Sequence, residues 1–140
     1  SRDKSRTPSQ WNASKNAGIS TGTPWLKVGK SYKDINDENE IDGPIFKFYQ
    51  EVIRLRKEMP IISEGSYQPA FEDSKQVYAF ERHLDGQKLL VLNHFYGNEA
   101  EVTIPAEYQA GQVLLSNYEN VELAEKVILK PYQTLAIYVD

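Results

Sequence analysis

Over residues 61–140 apolar positions come in short runs rich in Val, Ile, Leu, Tyr and Phe: QVYAFERHL (76–84), KLLVLNHF (88–95), AEVTIPA (100–106), QVLLSNY (112–118), EKVILKP (125–131) and TLAIYV (134–139). Runs of this length and composition read as strands. GSYQPAF (65–71) reads as an edge strand, because Pro69 cannot donate to a ladder on both sides. Asp85-Gly86 is a hairpin signal, and Gly97-Asn98 is a second. Short strands broken by turns at such spacing predict an antiparallel sandwich or barrel.

The period changes upstream. Residues 44–59, PIFKFYQEVIRLRKEM, predict one amphipathic helix, with Ile45, Phe48, Tyr49, Val52, Leu55 and Met59 on a single stripe. Asp42 or Gly43 can cap it, Pro44 suits its first turn and Lys57 suits its last. Pro60 ends it by pushing Met59 out of the helical region. Phe46 and Ile53 widen the apolar surface beyond what one neighbour covers. Residues 1–43 show no sustained period and carry Pro8, Pro24, Gly18, Gly22, Gly29 and Gly43 among Ser, Thr, Asn and Lys. That predicts a long loop, and a loop of such length is usually functional or belongs to something larger. The expected division is a loop-plus-helix segment (1–60) followed by a β domain (61–140).

Composition narrows the function classes. The 140 residues are 40% hydrophobic and 26% charged, which is globular rather than disordered. A net charge of -4 offers no basic footprint for nucleic acid. No apolar run approaches a membrane span, and no apolar stretch follows Lys4 and Arg6 as a signal peptide would require. With no cysteine there is no disulfide, thiolate nucleophile or Cys-type zinc site, which fits a reducing cytoplasm.

Complete catalytic sets are not apparent. His83 and His94 both fall inside expected strands, without a nucleophile elbow nearby or the spacing of a metal pair. DINDENEID (34–42) concentrates Asp34, Asp37, Glu38, Glu40 and Asp42 ahead of the helix. It reads as a solvated loop, since the D-x-[DN]-x-[DN]-G calcium pattern is not there. No cofactor and no metal are expected. Trp11 and Trp25 sit in the loop among Gln10, Asn12, Asn16 and Thr21. Each is either an exposed platform for a sugar ring or a buried loop anchor.

One stretch is more specific. SRDKSRTPSQWNASKNAGISTGTPWLKVGKSYKDIN resembles the segment R-D-x-x-R-T-P-M-Q-W-D…N-A-G-F…P-W-[IL]-x-V…Y…I-N of the oligo-1,6-glucosidase and dextran glucosidase group of the α-amylase family. The matching residues are Arg2, Asp3, Arg6, Thr7, Pro8, Gln10, Trp11, Asn16, Ala17, Gly18, Pro24, Trp25, Val28, Tyr32, Ile35 and Asn36. The helix with its L-R-K…P ending is similar to that family's last barrel helix, and LLSNYEN…LKPYQTLAIYV is similar to its closing strands. The resemblance implies the loop after barrel strand eight, at the catalytic mouth of a (β/α)8 barrel, the last barrel helix, and a Greek-key β-sandwich that covers the barrel. It implies a retaining enzyme whose Asp nucleophile, Glu acid/base and further Asp lie outside these residues, so no catalytic residue is assigned here. Arg6 is the one substrate-binding residue the resemblance carries over, for the non-reducing glucosyl unit beside the cleaved bond. Arg2, Asp3, Gln10 and Trp11 would shape the loop.

Three positions depart from the pattern: Ser9 replaces Met, Asn12 replaces Asp and Ile19 replaces Phe. The implied partners are an α-glucan oligosaccharide and the catalytic barrel. Trehalose-phosphate hydrolase, α-1,4-glucosidase and sucrose isomerase are neighbouring activities, and a stand-alone glucan-binding sandwich is the alternative of a different class.

Overall fold

The period-two runs become seven strands in a computed structural model that describes residues 5–140. Those residues divide into two compact units, one ending at Glu51 and one running from Val52 to Asp140.

In the second unit β1 (Ser66–Ala70), β2 (Val77–Leu84), β3 (Gln87–His94), β7 (Thr134–Val139) and β5 (Gln112–Ser116) form one antiparallel sheet in the order β1-β2-β3-β7-β5. The strands β4 (Ala100–Thr103) and β6 (Lys126–Leu129) pair as a second, two-stranded sheet. The chain changes sheet after β3, β4, β5 and β6, so β7 returns to lie between β3 and β5. Alternation along each strand sends one set of side chains inward. Val77 and Ala79 of β2, Leu90 and Leu92 of β3, Leu135 and Ile137 of β7, Val102 of β4, and Val127 and Leu129 of β6 form one buried core. Register ties it together: Ala79, Leu92 and Leu135 are direct partners across three strands.

Asp85-Gly86 turns β2 into β3 with both residues at positive φ, 50° and 92°, as a two-residue type I′ hairpin demands. Gly97-Asn98 does not behave as its sequence suggests. Neither residue has positive φ, and β4 pairs with β6 rather than with β3, so the segment is a crossover between sheets and not a hairpin. Pro69 lies in β1, the edge strand.

The helix α2 (Pro44–Glu58) begins at its proline. Met59 takes extended geometry (φ -115°, ψ 98°), as Pro60 requires. The same proline then opens a further short helix, α3 (Pro60–Glu64), which the sequence reading had not separated from the β region. Pro fits that role because its fixed φ is already helical and its missing N–H is an orphan at a first turn. α3 packs Ile61 on the outer face of the larger sheet, against Leu89 and Ala136. That face also keeps an apolar groove of about 290 Å³ between Leu55, Ile62, Phe80, Leu89, Val91 and Ala136. Of the α2 stripe only Leu55 is buried, while Ile45, Tyr49, Val52 and the flanking Ile53 are exposed.

Two interior features carry cost or specificity. The 3-10 turn Ala106–Tyr108 drives Tyr108 fully into the sandwich, where its hydroxyl is buried without a hydrogen-bond partner. Burial, followed by the nearby Glu81 and Glu107 carboxylates, raises that hydroxyl's pKa far above its usual value. His94, also buried, sets Nδ1 3.0 Å from the Gln76 carbonyl and Nε2 2.6 Å from the Asn98 carbonyl. It thereby pins the residue before β2 to the β3–β4 crossover.

Candidate functional site

The first unit is held by polar side chains and backbone, since among its described residues Ala17 is the one apolar side chain that is buried. Its centre is a hairpin-like knot. The Trp11 and Asn12 amides both donate to the Ala17 carbonyl, at 2.9 and 3.3 Å. The Asn12 side-chain oxygen accepts from the Ser14 amide (3.0 Å) and the Ser14 hydroxyl (2.6 Å), an Asx turn. Asn16, Ala17 and Gly18 then run consecutively at positive φ: 59°, 55° and 70°. Asn tolerates that region and Gly is indifferent to it, but Ala is strained there. Ala17 is fully buried, which holds it in place. A Cβ on Gly18 would stand 2.6 Å from the Asn12 side-chain oxygen, so that glycine is required by space as well as by φ. Asn16 closes the turn with its amide nitrogen on the carbonyls of Ser20 (3.1 Å) and Gly22 (2.6 Å).

The knot is tied to the segment ahead of α2. Asn36, nearly fully buried, caps the four-residue helix α1 (Asp37–Glu40) by accepting from the Asn39 amide at 3.0 Å and donates to the Tyr32 carbonyl at 2.9 Å. The amides of Asp37 and Glu38 donate to the carbonyls of Gln10 (2.8 Å) and Trp11 (3.0 Å). Gln10 reaches the Ile35 carbonyl at 2.6 Å, and the Ser9 hydroxyl lies 3.3 Å from Asp37. The acidic run is therefore partly helix α1 and partly solvated, with Asp42 paired to Lys47 at 3.7 Å.

This geometry separates motif residues by job. Gln10, Asn12, Asn16 and Asn36 spend their polar atoms inside the loop. Arg6 is exposed, and so are Trp11 (55%) and Trp25 (89%), so the described residues bury neither indole. What the loop can offer a ligand is a guanidinium and two indole faces, which is binding chemistry. Arg2 and Asp3 lie outside the described residues. Two departures gain a physical reading: Asn12 supplies the acceptor that an Asp would supply, and Ser9 makes a polar contact where Met could not. His83 and His94 are both strand residues, His83 lying 3.1 Å from Glu81.

Sequence reasoning treated Tyr67 and Tyr78 only as strand residues. Their hydroxyls share a hydrogen bond at 2.9 Å, which is the leading cause of a raised Tyr67 pKa, and both rings are half exposed. Nothing short of the β1–β2 pairing could have shown it.

Known proteins match the chain along most of its length. Residues 1–65 match the α-amylase catalytic domain, and residues 77–135 match the C-terminal domain of the α-amylase SusG. The chain belongs to the α-amylase family. It is 42% identical to trehalose-6-phosphate hydrolase of Bacillus subtilis, over 96% of this chain and 25% of that protein. It is 41% identical to oligo-1,6-glucosidase of Halalkalibacterium halodurans, over 94% of this chain and 25% of that protein. Among solved structures it superposes on trehalulose synthase MutB of Pseudomonas mesoacidophila with a TM-score of 0.83, at 36% identity over 100% of this chain and 26% of that one. The chain thus spans about a quarter of the length of the relatives it matches. The β-sandwich and the α-amylase resemblance read from the sequence both hold. Arg6 and its loop fall within the residues matched to the catalytic domain of this family.

Proposed function

We propose that the chain forms the C-terminal part of a retaining, cytoplasmic α-glucosidase that hydrolyses α-1,6-glucosidic bonds at the non-reducing ends of isomalto-oligosaccharides and dextran. In this reading residues 1–60 are the last βα loop and last helix of the catalytic barrel, and residues 61–140 brace it. The nucleophilic Asp and acid/base Glu come from the part of the relatives' length outside these residues, so the 140 residues alone turn over no α-glucoside. Arg6 binds the glucosyl unit next to the scissile bond. The observation that carries the reading is the knotted loop: the side-chain amides of Gln10, Asn12 and Asn16 are engaged inside it while Arg6 is left exposed on the segment matched to the catalytic domain. The uncovered α2 stripe supports a barrel partner.

The test uses the full-length protein. Arg6→Ala removes planar, charge-assisted donors to the sugar hydroxyls, and kcat/KM for isomaltotriose is expected to fall roughly a hundredfold or more. The melting temperature stays within a few degrees, because Arg6 is exposed. An unchanged kcat/KM refutes the role. A second reading, hydrolysis of trehalose 6-phosphate, is favoured by the 42% identity to the Bacillus subtilis enzyme. The ratio of kcat/KM for isomaltotriose and trehalose 6-phosphate decides between them.

A further inference from the structure

Two tryptophans stand exposed in the first unit, and their mounts differ. The backbone of residues 10–12 is held on both sides. On one side the Trp11 and Asn12 amides donate to the Ala17 carbonyl, at 2.9 and 3.3 Å. On the other the Gln10 and Trp11 carbonyls accept from the Asp37 and Glu38 amides, at 2.8 and 3.0 Å. Each side is anchored by a buried residue, Ala17 in the knot and Asn36 as the cap of α1. The neighbouring side chains are tied down as well, Gln10 to the Ile35 carbonyl at 2.6 Å and Asn12 to Ser14. The Trp11 indole is therefore carried on a fixed backbone, yet it stands 55% exposed. Trp25 is still more exposed, at 89%, but among the described residues no hydrogen bond fixes its backbone.

Those mounts separate the two rings by what binding would cost. A ring already fixed in place loses little freedom when a ligand covers it, whereas a ring on an unfixed backbone must first be ordered. The four bonds that hold residues 10–12 run from backbone to backbone, so the indole is not what closes the loop. It is left with a broad apolar face and one N–H donor at its edge, which match the C–H face and the hydroxyls of a sugar ring. Arg6 lies five residues upstream, and that length of extended chain reaches at most about 18 Å, the span of a few sugar units. The resemblance to the glucosidase group gives Trp11 the work of shaping the loop, which the backbone clamp already does. We propose that the Trp11 indole is a substrate-contacting specificity residue, the platform for a sugar unit next to the one assigned to Arg6. The inference rests on the reading of this loop as the wall of a catalytic mouth.

The test uses the full-length protein and whichever of isomaltotriose and trehalose 6-phosphate it turns over faster. Trp11→Ala should raise KM about tenfold with kcat nearly unchanged, as happens when binding shared by the ground and transition states is lost. Trp11→Phe keeps a flat ring and should recover most of that loss. Because the clamp is made of backbone, hydrogen exchange over residues 10–18, read by mass spectrometry, should stay as slow in Trp11→Ala as in the parent protein. Faster exchange over those residues, whatever KM does, marks loop shaping and overturns the proposal. So does an unchanged KM in Trp11→Ala, no recovery in Trp11→Phe, or a larger rise in KM for Trp25→Ala than for Trp11→Ala. Arg6→Ala, measured alongside, keeps this inference apart from the cleavage reading. A fall in kcat/KM for Arg6→Ala with no change of KM for Trp11→Ala overturns the Trp11 assignment alone. A rise in KM for Trp11→Ala with no effect of Arg6→Ala keeps Trp11 on the substrate and removes the Arg6 role, and no effect of either overturns both.

Discussion

Replacing His94 by Phe tests whether a buried polar clamp, rather than ring packing, holds the crossover between the two sheets. The ring is 2% exposed and has a carbonyl oxygen on each side, Gln76 at 3.0 Å and Asn98 at 2.6 Å. Phe preserves the flat shape and removes both polar contacts. Losing a hydrogen bond from a buried ring costs about 1–3 kcal/mol, and a neutral imidazole donates through one nitrogen at a time. Gln76 and Asn98 are themselves exposed residues whose carbonyls water can reach, so the expected loss is about 1–3 kcal/mol in all. For a unit of this size that lowers the melting temperature by roughly 5–20 °C. Urea unfolding of the chain, followed by far-UV circular dichroism, measures it as a lower midpoint with unchanged slope. The control is His83→Phe. His83 sits on β2 at half exposure with one contact, to Glu81 at 3.1 Å, and its loss should cost about 1 kcal/mol at most. If His94→Phe costs no more than His83→Phe, the clamp argument is wrong and the site is held by shape alone.

Tyr108→Phe should be neutral or stabilising, because the hydroxyl it deletes is buried without a partner. It should also flatten alkaline unfolding: the folded Tyr108 pKa lies above the unfolded value of 10.0, so its share of stability is intact below pH 10 and is lost as pH rises beyond it. Urea midpoints of both proteins at pH 8 and above 10 check this. Gly86→Ala and Gly18→Ala form a matched pair. A Cβ at Gly86 meets nothing, leaving only a φ penalty of about 1 kcal/mol, whereas at Gly18 the same penalty adds to a 2.6 Å contact with Asn12. Amide exchange at Trp11 should therefore accelerate in the second variant and not in the first.

Strands β4 and β6 and the start of β2 were legible because one face is buried and the other is not, so hydrophobic alternation and strand-forming side chains coincide. β3 shows the limit of that signal. Leu89, Leu90, Val91 and Leu92 run without alternation because both faces of the larger sheet are covered at β3, one by the sandwich core and the other in part by Ile61 of α3. The error at Gly97-Asn98 has a related origin. A Gly-Asn pair between apolar runs carries the same local signal whether the chain folds back on its neighbour or crosses to the other sheet, and only the backbone dihedrals separate the two. Pro60 ends α2 as its sequence predicts, but α3 was not legible behind it, since a proline that must end one helix is also a good start for the next.

The loop was legible in a different sense. Its residues match a long motif, yet the motif does not say which of its members act on a ligand and which act on the loop. Structure separates them by what their polar atoms already do. Gln10, Asn12, Asn16 and Asn36 each have a backbone or side-chain partner between 2.6 and 3.1 Å. An amide engaged in this way is poorly placed to exchange its partner for a sugar hydroxyl, because the loop would lose the bond that shapes it. The side chains of Arg6, Trp11 and Trp25 are not part of those side-chain amide bonds and are exposed, although the Trp11 backbone is bonded within the loop. Substitutions in the first group should therefore act through loop order and those at Arg6 through the ligand. The Tyr67–Tyr78 pair carries no sequence motif at all, because its two members meet only through the fold of β1 against β2.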